Sequence, residues 1–360
     1  MTEPHHEDSS AAPFRAVEFY SGIGGLHRAL RRSTVNGCVI RAYDWDQAAC
    51  QVYQANYGPG LVKQADISLL TAGELAGLRA DLWLLSPSCQ PYTVLNPLAK
   101  GPEDPRAKSF AHLIQGVLPE LVDMGQQPRY ILVENVAGFE ASSTREQLDA
   151  RGYNCLELLL TPLQFGTPNS RLRYYLLAKW RPLAFRNAGT PGRLARHIPG
   201  QGEDWSDPRS TSDAPVLFGD LKALHEYLDP DDTNEEFKIP DRVLEKWGRL
   251  FDIVLPSGKR TCCFTRGYTK LAERAGSVLQ LNEDLDKRGN ADTVRLLDPL
   301  RLRYFSPQEL LRLFCFDPPS SLGAGSFIWP EKTSTKTKYK LIGNSVNVEV
   351  VCRLINYLFE

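Results

Sequence analysis

Residues 17–30 read VEFYSGIGGLHRAL: an apolar run closing at Tyr20, glycines at 22, 24 and 25, then an amphipathic stretch. A strand, a glycine turn and a helix in that order form the first half of a βαβ unit, and they predict a mostly parallel sheet. The rhythm continues outward. RAVEFY (15–20), CVIRAYD (38–44), ADLWLLS (80–86), RYILVENV (129–136) and LRYYLLAKW (172–180) read as strands, and GGLHRALRRS (24–33) and FAHLIQGVLPELVDM (110–124) as helices. In an α/β sheet of this kind ligands sit beyond the carboxyl ends of the strands, so the residues that directly follow each apolar run become the candidates for chemistry.

Near residue 180 the rhythm stops. Glycine, proline and charge rise through NAGTPGRLARHIPGQGEDWSDPRS (187–210), which predicts long loops or a separate lobe. Order returns with SPQELLRLFCF (306–316), where a Ser-x-x-Glu cap precedes an apolar helix face, and with VNVEVVCRLINYLFE (346–360), a closing amphipathic helix. A chain of 360 residues exceeds what one core usually holds, so the expected organisation has four parts. These are a flexible tail at 1–13, a main α/β domain at 14–180, a smaller lobe at 181–299, and a segment at 300–360 that completes the main domain.

Hydrophobic residues make up 42% and charged residues 24%, the balance of a globular protein, and no apolar run approaches the ~20 residues of a membrane span. The polar, acidic start MTEPHHEDSSAAP lacks the apolar stretch of a signal peptide, so an intracellular protein is expected. Eight scattered cysteines show no CxxC pair and no histidine at zinc-ligand spacing, which points to reduced thiols and no metal. A net charge of −1 argues against a molecule coated in positive potential, yet GKRTCCFTRGYTKLAER (258–274) and KTSTKTKYK (332–340) are locally basic. If Lys259, Arg260, Arg266, Lys270 and Arg274 share one surface, they form a phosphate-binding patch.

The glycines Gly22, Gly24 and Gly25 suit a polar or anionic ligand at a helix start, but His27 stands where a dinucleotide fingerprint needs its third glycine, which disfavours a nicotinamide cofactor. Asp44, about twenty residues on and at the end of an apolar run, is placed to accept hydrogen bonds from a ribose. Together these fit an adenosine-containing ligand without a pyrophosphate. Cys89 follows another apolar run and is bracketed by Pro87 and Pro91, which restrict the backbone and would aim the sulfur at a fixed point as a nucleophile. Glu134 ends the apolar run YILV, where partial burial would raise its pKa and let it offer a proton. Arg171 and Arg173, two apart on an expected strand, share a face and could bind a carbonyl or phosphate.

In this order the motifs EFYSGIGG, SPSCQPYT, ENV, NSRLR and GNSVNV resemble the cytosine-5 methyltransferases that use S-adenosylmethionine, and the likeness covers the chain from Arg15. RTCCFTRGY resembles the Cys-Phe-Thr signature of the branch that methylates an anticodon-loop cytosine, position 38, of aspartate transfer RNA. The resemblance implies a Rossmann-like class I methyltransferase fold, an α/β sheet flanked by helices, with a smaller target-recognition lobe. It implies that Phe19, Ile23, Gly24, Gly25, Asp44, Trp45, Asp66, Ile67 and Ser86 line the S-adenosylmethionine pocket, with Asn344 and Ser345 closing it. Cys89 would add to C6 of the cytosine, Glu134 would steady N3 and the amino group, and Arg173, helped by Arg171, would hold the carbonyl side. Cys263, Phe264, Thr265, Arg266 and Lys270 would contact the RNA.

The resemblance further implies a monomer acting on transfer RNA in the cytoplasm, and in the nucleus as well, with S-adenosylhomocysteine as product. A DNA cytosine-5 methyltransferase and a catalytically weak RNA-binding relative are the alternatives. One departure stands out: the family's Pro-Pro-Cys is Pro-Ser-Cys here, because residue 88 is serine.

Overall fold

The computed structural model describes residues 12–90, 104–139, 143–187, 192–202, 205, 221–230, 235–271, 273–283, 300–319 and 326–360. Pro91 and most of the expected tail lie outside the described residues.

The main body is a seven-stranded sheet in the order β3-β2-β1-β4-β5-β7-β6. Its strands are β1 (Phe14–Phe19), β2 (Gly37–Asp44), β3 (Val62–Gln64), β4 (Leu82–Leu85), β5 (Tyr130–Val136), β6 (Tyr153–Leu160) and β7 (Arg173–Trp180). The first five run parallel, and β7 lies antiparallel between β5 and β6. This is the mostly parallel, helix-flanked sheet of a class I methyltransferase fold. The chain leaves β1 toward β2 on one side and returns to β4 on the other, so the carboxyl ends of β1 and β4 flank the point where strand order reverses.

Alternation along the strands divides the interior into two cores, one on each face. Ala16, Leu82, Leu84, Leu132 and Leu177 face one, shared with α1 (Gly25–Arg32) and the last helix, Val348–Phe359. Val17, Phe19, Trp83, Leu85, Ile131 and Leu176 face the other. The closing helix packs on α1, so the end of the chain helps to bury its beginning.

Two local expectations need correction. The stretch 110–124 is not one regular helix: α-helical turns at Lys108–Ala111 and Leu118–Asp123 flank a π segment at His112–Val117. Pro119 lacks the amide that would bond to the carbonyl of Gln115, and the register widens just upstream of it. Arg171 lies in the segment before β7 rather than on the strand, and it is buried.

The lobe carries a small sheet in the order β10-β9-β8, from β8 (Ile253–Val254), β9 (Val278–Gln280) and β10 (Leu302–Arg303), over a core of Ile239, Leu244, Val278, Leu300 and Leu302. Its third strand therefore comes from beyond residue 299. The Ser-x-x-Glu cap forms as read: Ser306 Oγ accepts from the Glu309 amide at 3.1 Å, and Glu309 accepts from the Ser306 amide at 2.8 Å.

Candidate active site

The glycine turn is built by backbone conformation. Gly22 and Gly24 have φ of 52° and 81°, left-handed values that side chains resist, and a Cβ on Gly22 would meet nothing within 4 Å. A cradle open on that side is what an approaching ligand needs. Gly25 has a different reason: a Cβ there would meet Val346 Cγ2 at 2.7 Å and Ser345 Oγ at 3.0 Å, so the absent side chain lets the C-terminal segment press against the helix start. Asp44 ties the turn to the end of β2, with one oxygen accepting from the Gly22 amide at 2.7 Å and the other from the Asp46 amide at 2.8 Å. Burial raises the Asp44 carboxyl above its ordinary range, opposed by those amide bonds.

Around this cradle, Trp45 is 74% exposed and Asn344 is exposed, while Ser345 and Ser86 are half-buried. The Ser86 hydroxyl donates to the Tyr20 carbonyl at 3.0 Å. Asp66 is exposed at the rim, its carboxyl held below the usual range by the hydroxyl and amide of Ser68. The side chains of three expected pocket residues, Phe19, Ile23 and Ile67, are enclosed in the two cores, where period-two strand packing and the helix start place them.

The reading of the sequence missed Tyr20. It is a non-glycine residue at φ 57°, it donates to Ser109 Oγ at 3.0 Å, and the charges of Asp66 and Asp44 both act on its hydroxyl. The available signal was its position directly after the strand.

Cys89 sits four residues beyond β4 and Glu134 lies near the carboxyl end of neighbouring β5. Asn135, which the reading did not single out, holds the cysteine loop: its side-chain amide donates to the Pro87 carbonyl at 3.1 Å. Glu134 is buried and pairs with Arg173 at 3.5 Å. Burial pushes its carboxyl up, against the pull of Arg173 and Arg171, so the protonated form is favoured more than in water. Cys89 is exposed as a residue, yet enough protein surrounds its sulfur that desolvation raises the thiol. The charges of Arg173, Arg171 and Arg266 work against that rise, and Glu134 adds to it.

The two arginines do different things. Arg171 donates to the carbonyls of Phe264 at 3.0 Å and Ser345 at 2.6 Å, and it lies 3.4 Å from Cys263 Sγ. Its guanidinium is tied to the lobe and the C-terminal segment, so it fastens the two together behind the site. Arg173 reaches both Glu134 and, at 3.6 Å, Cys263 Sγ. Burial would raise the Cys263 thiol, but the two guanidiniums outweigh it and the thiol falls below its ordinary value.

Phe264 is 0% exposed, edge-on to Tyr268 and Phe305, and anchors the signature in the core. Thr265 is half-buried. Lys259, Arg260, Arg266, Lys270 and Arg274 are all exposed, Arg260 being paired with Asp252 at 3.0 Å. Arg266 and Lys270 belong to one tight turn, closed by amide bonds from Tyr268 to Thr265 and from Lys270 to Gly267. Among the described residues, no cluster of three or more His, Cys, Asp or Glu side chains could hold a metal. No helix there is long and apolar enough to cross a membrane.

Against known proteins, residues 14–360 match the model of the family described as C-5 cytosine-specific DNA methylase. The tRNA (cytosine(38)-C(5))-methyltransferase of Schizosaccharomyces pombe is 38% identical over 98% of this chain and 98% of its own length. A Dictyostelium discoideum protein named DNA (cytosine-5)-methyltransferase is 34% identical over 96% of this chain and 94% of its own. The crystal structure of the S. pombe Dnmt2 methyltransferase superposes with a TM-score of 0.76 at 36% identity, covering 96% of this chain and 98% of that one.

Proposed function

The chain belongs to the C-5 cytosine-specific DNA methylase family, a family of S-adenosylmethionine-dependent methyltransferases, and from that premise we propose that it methylates C5 of cytosine 38 in the anticodon loop of aspartate transfer RNA. The observation that carries this reading is the meeting of Cys89, Glu134 and Arg173 with the Cys263 signature and its Arg266. Catalytic residues that DNA and RNA enzymes share thus sit beside an exposed cation from the lobe, at 181–299, proposed to read the target.

S-adenosylmethionine, when bound, supplies an electrophilic methyl group. The open space at Gly22, the Asp44 carboxylate behind it and the exposed Trp45 ring fit its adenosine and cationic parts. At the base, Cys89 as thiolate adds to C6, which makes C5 nucleophilic. Glu134, whose carboxyl burial shifts toward the protonated form, donates to N3 and stabilises the electron-rich ring. Arg173 neutralises both acidic groups and is placed to hold the carbonyl side. After methyl transfer the C5 proton passes to water, the sulfur is eliminated as thiolate and the N3 proton returns to Glu134, restoring the ring and both side chains. The cytosine must leave its stack, which costs less in a single-stranded loop than in a duplex.

Aspartate transfer RNA transcript, the same transcript changed at position 38, and duplex DNA should be assayed side by side, with Cys89→Ala as control. Methylation confined to cytosine 38 and lost in the variant is the expected result. The Dictyostelium relative's name supports a second reading as a DNA methyltransferase, which prevails if duplex DNA is methylated faster under matched conditions.

A further inference from the structure

Behind the glycine turn lies a buried polar chain that the reaction does not use. Glu18 on β1 is fully enclosed; it accepts from the His27 amide at 3.3 Å and from the Tyr53 hydroxyl at 2.8 Å. Tyr53, on α2 (Gln47–Tyr57), is in turn 2.8 Å from Nδ1 of His27. The His27 ring stacks on Tyr57 with centroids 4.0 Å apart. Tyr57 completes the path by donating its hydroxyl to the Gly24 carbonyl at 2.8 Å. Its ring also fills the space behind the turn: a Cβ on Gly24 would lie 2.2 Å from Tyr57 Cε2. His27, the residue that breaks the dinucleotide fingerprint, is therefore an aromatic platform.

We propose that Tyr57 is a positioning residue for cofactor binding, clamping the Gly24 carbonyl so that the turn keeps its left-handed shape, with Glu18, Tyr53 and His27 fixing its ring. The chain can carry its protons in either direction without losing a bond. With Glu18 ionised, His27 Nδ1–H donates to Tyr53, which donates to the carboxylate. With Glu18 protonated, the carboxyl donates to Tyr53, which donates to His27 Nδ1. Burial pushes the Glu18 carboxyl up to about 8 and the His27 imidazole down to about 4, so the histidine stays neutral in both arrangements. The charged groups facing this chain are Asp44 from β2 and Arg28 and Arg31 from α1. A clamp that survives the change in protonation holds the turn across the neutral pH range.

The inference rests on the reading that the glycine turn holds S-adenosylmethionine, and the test separates the two. Tyr57→Phe keeps the ring and removes the clamp, together with the hydroxyl's hydrogen bond with Arg28. Its KM for S-adenosylmethionine should rise about five-fold, the size expected of one lost hydrogen bond, with kcat and the KM for transfer RNA within about two-fold of the parent. Tyr53→Phe cuts the chain one step further back and should move the same KM in the same direction by less. Calorimetric titration with S-adenosylhomocysteine should show matching losses of affinity. If both variants bind as tightly as the parent, or if kcat falls while KM holds, the positioning role is wrong. If the parent itself binds no S-adenosylhomocysteine, the cofactor reading of the turn fails instead.

Discussion

Cys89 and Glu134 are both shifted upward, with opposite consequences for the rate. On the proposed mechanism the thiol must ionise to attack, so activity should climb as pH rises through the alkaline side of neutrality, while Glu134 must stay protonated to serve N3. Arg266 lowers the Cys89 thiol by its charge alone, so Arg266→Ala should move the rising limb of the kcat/KM profile to higher pH; an unmoved limb would separate Arg266 from catalysis. Asn135 acts without charge. Its bond to the Pro87 carbonyl is the described tether of the cysteine loop on the β5 side, and the serine at 88 leaves the loop less constrained than a second proline would. Asn135→Ala should therefore lower kcat by about ten-fold or more, through a misplaced sulfur, while the melting temperature falls only slightly. Single-turnover kinetics with saturating cofactor would show it. Equal turnover in the variant would mean that other contacts aim the loop.

Between elements, backbone meets backbone tightly at Gly343, where the helix Thr335–Gly343 ends. A Cβ there would lie 2.3 Å from the Thr265 carbonyl carbon and 2.4 Å from the Arg266 nitrogen, all backbone. Gly343→Ala should cost about 1–3 kcal/mol and raise the KM for RNA, because the Cys263 signature must move away from the C-terminal segment. Thermal melts and steady-state kinetics would read both effects. This contact also marks how far the sequence could be read. The strands β1, β2, β4, β5 and β7 and the capped helix at Ser306 are legible because strand period and capping chemistry are local signals, whereas β3, β6 and the order of strands in the sheet depend on pairing across the chain. That Phe19, Ile23, Ile67 and Phe264 face inward is not legible, since a motif shows which residues recur and not which way each side chain turns. Nor is the division of labour between Arg171 and Arg173: it depends on carbonyls of Phe264 and Ser345, 93 and 174 residues away in the chain. The role of His27 is not local either, since it depends on Tyr53 and Tyr57 of α2 lying beside its ring.

At the scale of the molecule, the lobe is joined to the main body by a buried set of charges as well as by apolar contact. Arg312, 0% exposed on the helix Pro307–Leu313, donates to the Tyr227 carbonyl at 3.0 Å and to Asp229 at 2.8 Å. The Ser306 hydroxyl donates to the other Asp229 oxygen at 2.7 Å, and the Asp229 amide donates to Glu309 at 3.0 Å. Glu309 in turn takes both arms of Arg303, on β10 of the small sheet, at 2.8 Å each. The same helix sends Leu310, Leu311 and Leu313 into the main core, so one element carries the lobe's attachment and the catalytic body's packing together. A buried pair of this kind adds little over an apolar replacement, yet removing one member strands the other charge. Asp229→Ala should therefore destabilise the protein by about 2–4 kcal/mol, somewhat below the fully buried case because Asp229 is partly exposed. Adding Arg312→Met to that variant should recover a large part of the loss, since no unpaired charge remains and the volume is filled. Denaturant melts of the two single variants and the double variant close the cycle. Additive losses would show that Asp229 and Arg312 act independently.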